Sequence, residues 1–294
     1  MDGDTYFFTL FAVFSFALGS SIASFLNVCI WRIPRGESVS RPASHCPKCG
    51  APIRWWQNLP VLSWLMLRGR CFSCHERISP RYILIELLGG ALFLLTYLQW
   101  AMPFFFDLEP VFGMSPIYNP YLMGVNMVAY AGLILGSFVD IDHYWIPDRV
   151  TIGGMALGVP LNLAAWVAFL GGWAGPGTWK IAEYHVWGLL LGFLGLWAVG
   201  FIFSKIFRKE AMGFGDVKLL GAIGAFFGPI AVVFTLVMSS FLGSAVGLSM
   251  IALGKTKMGK FTAIPYGPFL ALGAAAWMLW GENFVVWYLK GVLQ

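Results

Sequence analysis

Residues 5–31, TYFFTLFAVFSFALGSSIASFLNVCIW, carry no charged side chain between Asp4 and Arg32. A helix rises about 1.5 Å per residue, so about 20 apolar residues cross a hydrocarbon core of about 30 Å. The stretch therefore reads as a transmembrane helix. A cleavable signal peptide opens on basic residues and has a shorter apolar core. The residues ahead of this run include Asp2 and Asp4, so the helix is expected to stay uncleaved.

Outward from this run the same pattern repeats. Apolar runs at 82–102, 121–139, 150–171, 184–206, 217–227, 230–253 and 269–288 bring the total to eight. The 217–227 run is too short to cross unaided, and with Gly215 and Gly228 beside it reads as a thin or tilted span or one half of a re-entrant pair. Composition agrees: the 294 residues are 59% hydrophobic and 11% charged, against roughly 25% charged in soluble domains. A soluble enzyme, a secreted disulfide scaffold and a disordered chain are excluded. The expected fold is an all-α polytopic membrane protein of about eight transmembrane helices. Residues 1–31 form the first helix, 32–81 one polar segment, and 82–294 a membrane core with about seven further helices. Trp31, Tyr82, Trp100, Tyr121 and Trp173, near run ends, read as interfacial anchors.

The net charge of +5 would suggest nucleic acid on a soluble protein, but in a membrane protein its distribution decides. Every Lys and Arg except Lys180 and Lys290 falls on alternate connections between the runs. Those connections are expected in the cytoplasm, with both termini on the opposite, periplasmic side, and no nucleic-acid partner is expected. The polar segment 32–81 then faces the cytoplasm.

That segment holds four of the five cysteines, as Cys46-x-x-Cys49 and Cys71-x-x-Cys74. Each C-x-x-C turn aims two thiolates at one point, the donor set of tetrahedral zinc. Pro47 and Gly50 suit the first turn. A polar segment of this size has too little apolar content to fold alone, and a metal would supply the missing energy. A reducing compartment disfavours the alternative, two disulfides. His45 and His75 flank the turns and are read as solvated, and Cys29 as a small core residue.

Acidic residues at the ends of apolar helices are costly and mark function. Asp140 and Asp142 close the 121–139 run, and Asp216 opens the next-but-two within Gly213-Phe214-Gly215-Asp216. Two carboxylates brought together share one proton, so one acts as base toward water and the other as acid toward a carbonyl. The plain reading of each Asp is a helix cap. Gly213 and Gly215 favour the chemical one, since glycine admits another backbone, such as a substrate strand. The pattern lacks the third glycine and preceding strand of a dinucleotide fingerprint.

Together these residues resemble the type IV prepilin peptidases, bifunctional leader peptidases and N-methyltransferases of pilus and type II secretion systems. The resemblance runs through Gly19-Ser20, Ser24-Phe25-Leu26-Asn27-Val28, Arg32-Ile33-Pro34, the four cysteines with Asn58-Leu59-Pro60 between them, and Ile78-Ser79 with Arg81-Tyr82. It continues in Asp140-x-Asp142, Ile146-Pro147-Asp148, Gly213 to Lys218 and Ile264-Pro265-Tyr266-Gly267-Pro268. It implies an aspartyl protease that cuts after the glycine of a basic leader on prepilins and pseudopilins. It also implies methylation of the new N-terminus, usually Phe, from S-adenosylmethionine. The catalytic pair maps onto Asp140 and Asp216, with Asp142 an alternative to the first on spacing. Gly213, Gly215, Asp142, Asp148 and Lys218 are the expected supporting residues, and Cys46, Cys49, Cys71 and Cys74 the metal ligands. Implied too are a place in the inner membrane, the lipid bilayer as surroundings and a pilus or type II secretion assembly as partner. Acidic Asp142, Asp148 or Glu86 would pair with leader cations. The methyl-donor site has no Rossmann pattern and is expected to be assembled from the Cys segment and neighbouring cytoplasmic loops.

Two other classes stay in view: a non-enzymatic metal-sensing scaffold, in which Asp140 and Asp216 tolerate Asn, and a transporter with a carboxylate proton relay. Carboxylates at helix ends rather than at the midplane, and the absence of an internal repeat, speak against the transporter.

Overall fold

Gly19, Ala23, Gly89 and Gly90 remove the side chains that would hold two apolar helices apart. In the computed structural model, α1 (Gly3–Arg32) and α3 (Pro80–Phe106) accordingly lie antiparallel in close contact. A Cβ at Gly89 would sit 2.9 Å from the Gly19 carbonyl oxygen. Small residues give TM helices this approach, and polar side chains then bond across. The Ser15 hydroxyl donates to the Phe93 carbonyl (2.9 Å), the Tyr97 hydroxyl to that of Phe8 (3.1 Å) and the Asn27 amide to that of Tyr82 (3.2 Å). The structure describes residues 3–106, 119–170, 175–208, 212–254 and 264–281, with 284, 287, 288 and 291.

The chain forms two compact units, Met1–Val111 and Phe112–Gln294. α3, which the sequence grouped with the helices after it, packs with α1 in the first. Between them the polar segment has single 3₁₀ turns at Ile33–Arg35 and Trp55–Asn58 and a short α2 (Leu62–Met66). Trp56 meets Phe72 edge-on at 5.3 Å, and Gly69 lies against the Trp64 ring.

In the second unit, α4 (Pro120–His143) starts at the buried Asn119, whose side-chain oxygen accepts the Tyr121 N–H while its amide donates to the Ala165 carbonyl of α5 (Asp148–Phe169). α6 (Gly175–Leu190) continues through a π turn at Leu191–Gly195 into α7 (Leu196–Phe207). α8 (Phe214–Ala252) contacts α5 and α6 on one side, and α9 (Gly267–Ala276) also packs on it, followed by a π turn at Trp277–Gly281.

Among the described residues six helices are long and apolar enough to cross a membrane: Gly3–Arg35, Pro80–Ala101, Pro120–His143, Asp148–Phe169, Gly177–Ile206 and Phe214–Ala252; Gly267–Gly281 is a shorter apolar helix. Among the described residues there is no strand, only two isolated bridges. Within those residues the eight apolar runs fall on helices, and 217–227 and 230–253 are successive halves of α8. The halves part at Gly228 (φ 80°, ψ −178°), a backbone region open essentially to glycine alone, with Pro229 unable to donate across the break. The first half, about 20 Å long, ends among buried residues, where unpaired carbonyls are costly. A neighbouring helix satisfies it. The Asn162 amide of α5 donates to the Phe226 carbonyl at 3.0 Å, and the buried His185 of α6 lies against the Ala225 backbone.

Candidate active site and metal centre

α4 ends by turning over Asp140. Tyr144 takes a left-handed cap conformation (φ 58°) and its N–H bonds the Asp140 carbonyl at 2.8 Å. This leaves the Asp140 side chain inside the unit, 5% exposed. The chain then runs through the buried Ile146 and Pro147 into α5.

Asp216 comes from the first turn of α8. Gly213 is the N-cap residue in extended conformation (φ −68°), and the Asp216 N–H bonds its carbonyl at 3.1 Å. A Cβ at Gly213 would lie 3.2 Å from Asp216 Oδ2, so glycine here gives the carboxylate room. Gly215 faces Ile146, whose backbone nitrogen would lie 3.5 Å from an added Cβ. The two aspartates, far apart in sequence, come together about Ile146, and Asp216 lies close enough to Asp140 to sense its charge.

The third element is α9. The Gly267 N–H donates to Asp140 Oδ2 at 2.9 Å. A Cβ on Gly267 would stand 2.8 Å from that oxygen and 3.0 Å from Ile146 Cδ1. Ile146 thus lies against Gly136, Gly215 and Gly267, a single apolar side chain between the segments that carry the two carboxylates.

The remaining acidic residues behave differently. Asp142 is exposed at the end of α4. Asp148, 63% exposed, forms an ion pair with Lys218, whose ammonium also lies 5.3 Å from the Phe214 ring. Glu86 corrects an expectation: it is buried, and its Oε2 accepts the Val61 N–H at 2.7 Å. Val61 needs that support, because its φ of 62° is unfavourable for a β-branched residue and it lies within a three-residue turn closed from the Leu62 N–H to the Pro60 carbonyl. Glu86 is committed to the backbone, not to a ligand cation.

In the first unit the sulfurs of Cys46, Cys49, Cys71 and Cys74 all lie within 4.8 Å of one another. Two matching turns achieve this. Gly50 N–H bonds the Cys46 carbonyl, and Cys46 N–H the Ala51 carbonyl; His75 N–H bonds the Cys71 carbonyl, and Cys71 N–H the Glu76 carbonyl. Gly50 and His75 both have positive φ (70° and 56°), so His75 fills the left-handed turn position that glycine fills in the first turn. His45 bonds the Ala43 carbonyl instead. Cys46 Sγ and Cys74 Sγ are 3.9 Å apart, far from a disulfide and near the roughly 3.8 Å that tetrahedral zinc–thiolate bonds of about 2.3 Å require. The N–H groups of Cys74 and Ser73 bring the Cys71 thiol down to about 7. Cys74 is pushed up to about 12 despite the Glu76 N–H, by desolvation and the neighbouring thiols. The donor set can hold a metal ion.

Residues 17–100 match the model of the Bacterial Peptidase A24 N-terminal domain, and residues 127–248 that of the Type IV leader peptidase family. A Stutzerimonas stutzeri protein named prepilin leader peptidase/N-methyltransferase is 33% identical over 95% of this chain and 94% of its own length. The chain belongs to the type IV leader peptidase family. A Pseudomonas putida relative with the same name is 34% identical over 95% of this chain and 92% of its own. A type 4 prepilin-like proteins leader peptide-processing enzyme of Escherichia coli O78:H11 is 36% identical over 88% and 90%. No solved structure matches.

For this family member the geometry adds residues that sequence reading did not assign. Gly267 contributes through its backbone and Ile146 through its bulk. Their signal was present in Ile146-Pro147 and Ile264–268, stretches that mark the family without naming a role.

Proposed function

We propose that this chain removes the basic leader of type IV prepilins and pseudopilins by aspartyl hydrolysis, then N-methylates the new N-terminal residue from S-adenosylmethionine. The observation that carries the peptidase reading is the meeting of Asp140 and Asp216 from separate helices, with a backbone N–H on the first. The names of the relatives support both activities.

Asp140 and Asp216 share one proton. The ionised carboxylate takes a proton from a water, the hydroxyl adds to the carbonyl carbon ahead of the cut, and the protonated carboxyl gives its proton to the carbonyl oxygen. Return of a proton to the leaving nitrogen breaks the C–N bond and frees the pilin amine. That amine, unprotonated, would take the methyl group from S-adenosylmethionine as the methyl–sulfur bond breaks, leaving S-adenosylhomocysteine, and the methylated ammonium would lose a proton to solvent. Asp142 and Asp148 attract the leader's cations. Cys46, Cys49, Cys71 and Cys74 would hold zinc, whose bonds to the four thiolates would supply the folding energy that orders residues 32–81 for methyl transfer. Both termini are periplasmic, the dyad and Cys segment lie at the cytoplasmic face of the inner membrane, and the products enter a pilus or type II secretion assembly.

The test uses purified protein, a prepilin and labelled S-adenosylmethionine, scoring leader removal and methylation separately. Asp140→Asn and Asp216→Asn are expected to lose cleavage and still methylate a pre-cut pilin, while Asp142→Lys raises KM for basic leaders. Cleavage by both Asn variants would overturn the aspartyl dyad, whereas absence of cleavage by the wild type would favour the scaffold reading.

A further inference from the structure

The first turn of a helix presents backbone N–H groups with no partner inside the helix. At the start of α9 nearly all are accounted for. Pro268 has none, and those of Phe269 and Leu270 both bond the Tyr266 carbonyl, at 3.0 and 3.2 Å. The Gly267 N–H is left over, and it is the one on Asp140 Oδ2.

What fixes that N–H in place is the residue before it. Tyr266 is the N-cap residue of α9, and its hydroxyl lies 2.8 Å from Ser239 Oγ and 3.3 Å from Ser240 Oγ on the second half of α8. Ser239 is 0% exposed, and its own proton goes to the Leu236 carbonyl at 3.1 Å. Its oxygen therefore accepts the Tyr266 proton. The Tyr266 ring packs against α8 at Gly243, one turn further along, where a Cβ would lie at an ordinary contact distance of 3.7 Å.

We infer that Tyr266 is a positioning residue of the peptidase: its hydroxyl, latched to Ser239, holds the Gly267 N–H on Asp140 Oδ2. An N–H donates better to the unprotonated oxygen of a carboxyl than to its hydroxyl oxygen, which keeps only a weaker acceptor capacity. The latch therefore disfavours the shared proton on Oδ2 and favours Oδ1 when Asp140 carries it. It also ties both carboxylates to one helix, since α8 bears Asp216 in its first half and Ser239 in its second. Precise aim of a proton-transfer group is worth rate, not affinity for the distant parts of the substrate.

This inference rests on the dyad reading, and the experiment separates the two. Cleavage of a prepilin and methylation of a pre-cut pilin are measured for wild type, Tyr266→Phe, the pair Ser239→Ala/Ser240→Ala, the variant combining all three changes, and Asp140→Asn. Loss of one orienting hydrogen bond is expected to lower kcat for cleavage roughly 3- to 10-fold with KM unchanged. Methylation stays at the wild-type rate. The combined variant is no slower than Tyr266→Phe, because both changes break the same bond. Unchanged kcat in Tyr266→Phe, a rise in KM alone, or additive losses in the combined variant overturn the latch. If Tyr266→Phe loses methylation as well and so is misfolded, the serine pair decides by the same criteria. If Asp140→Asn still cleaves, the dyad reading itself has failed, whatever the latch variants do.

Discussion

Gly267 shows how little of a catalytic arrangement need reside in side chains. Its N–H bonds Asp140 Oδ2, and the absence of a Cβ is what permits the approach. Gly267→Ala places a methyl 2.8 Å from that oxygen and 3.0 Å from the equally confined Ile146, so the carboxylate must move. The expected result is a loss of kcat for leader cleavage of at least about tenfold, equivalent to about 1.4 kcal/mol, with methylation of a pre-cut pilin retained. Wild-type cleavage kinetics in this variant would show that the contact has no catalytic weight. The gathering of the four cysteines and the proposed pairing of Asp140 with Asp216 were legible in sequence because residue type and spacing carry them. Gly267 was not, since a backbone donor leaves no mark on composition. Glu86 was misread for the related reason that a carboxylate bonding a main-chain N–H looks, in sequence, like one awaiting a cation.

At the scale of the element, α8 is the informative case. The Gly228-Pro229 pair reads in sequence as a turn between two spans, and the short 217–227 run as an anomaly. The structure parts the two helical halves at Gly228 as that pair implies, and moves the difficulty to the buried carbonyls at the break. Asn162 answers it from α5, with His185 of α6 beside it. Neither stood out in the sequence, because a lone Asn or His on an apolar helix forms no pattern. Asn162→Ala leaves the Phe226 carbonyl without its donor in a dry environment, at a cost of about 1–3 kcal/mol. A lower thermal midpoint for the Phe112–Gln294 unit, followed by tryptophan fluorescence or protease resistance in detergent, is the expected outcome. An unchanged midpoint would mean that another group replaces the amide.

At the scale of the whole molecule, the proposed chemistry is divided between two units, each with its own source of order. Close packing of helices carries the second unit. In the first, residues 32–81 depend on four sulfurs held within 4.8 Å of one another. Metal removal by a chelator, or Cys71→Ser, is therefore expected to expose this segment to protease and to abolish methylation while leader cleavage persists. Metal content measured on the same samples links loss of the ion to loss of activity. Methylation at the wild-type rate in a metal-free, folded sample would contradict the assignment. Membrane class and the number of apolar runs were readable from hydropathy. The pairing of α3 with α1 was not, because nothing local to residues 80–106 reveals which neighbour their glycines will meet.

That pairing has a consequence for how the chain can be divided. α1 and α3 are held by a glycine seam and by the Ser15, Asn27 and Tyr97 hydrogen bonds, all made between the helices themselves and none dependent on the peptide link joining them. Residues 39–43, by contrast, lie mostly exposed on the way to the first cysteine. A gene split there would give two polypeptides that enter the bilayer separately and find each other by the same seam, restoring a working enzyme from fragments.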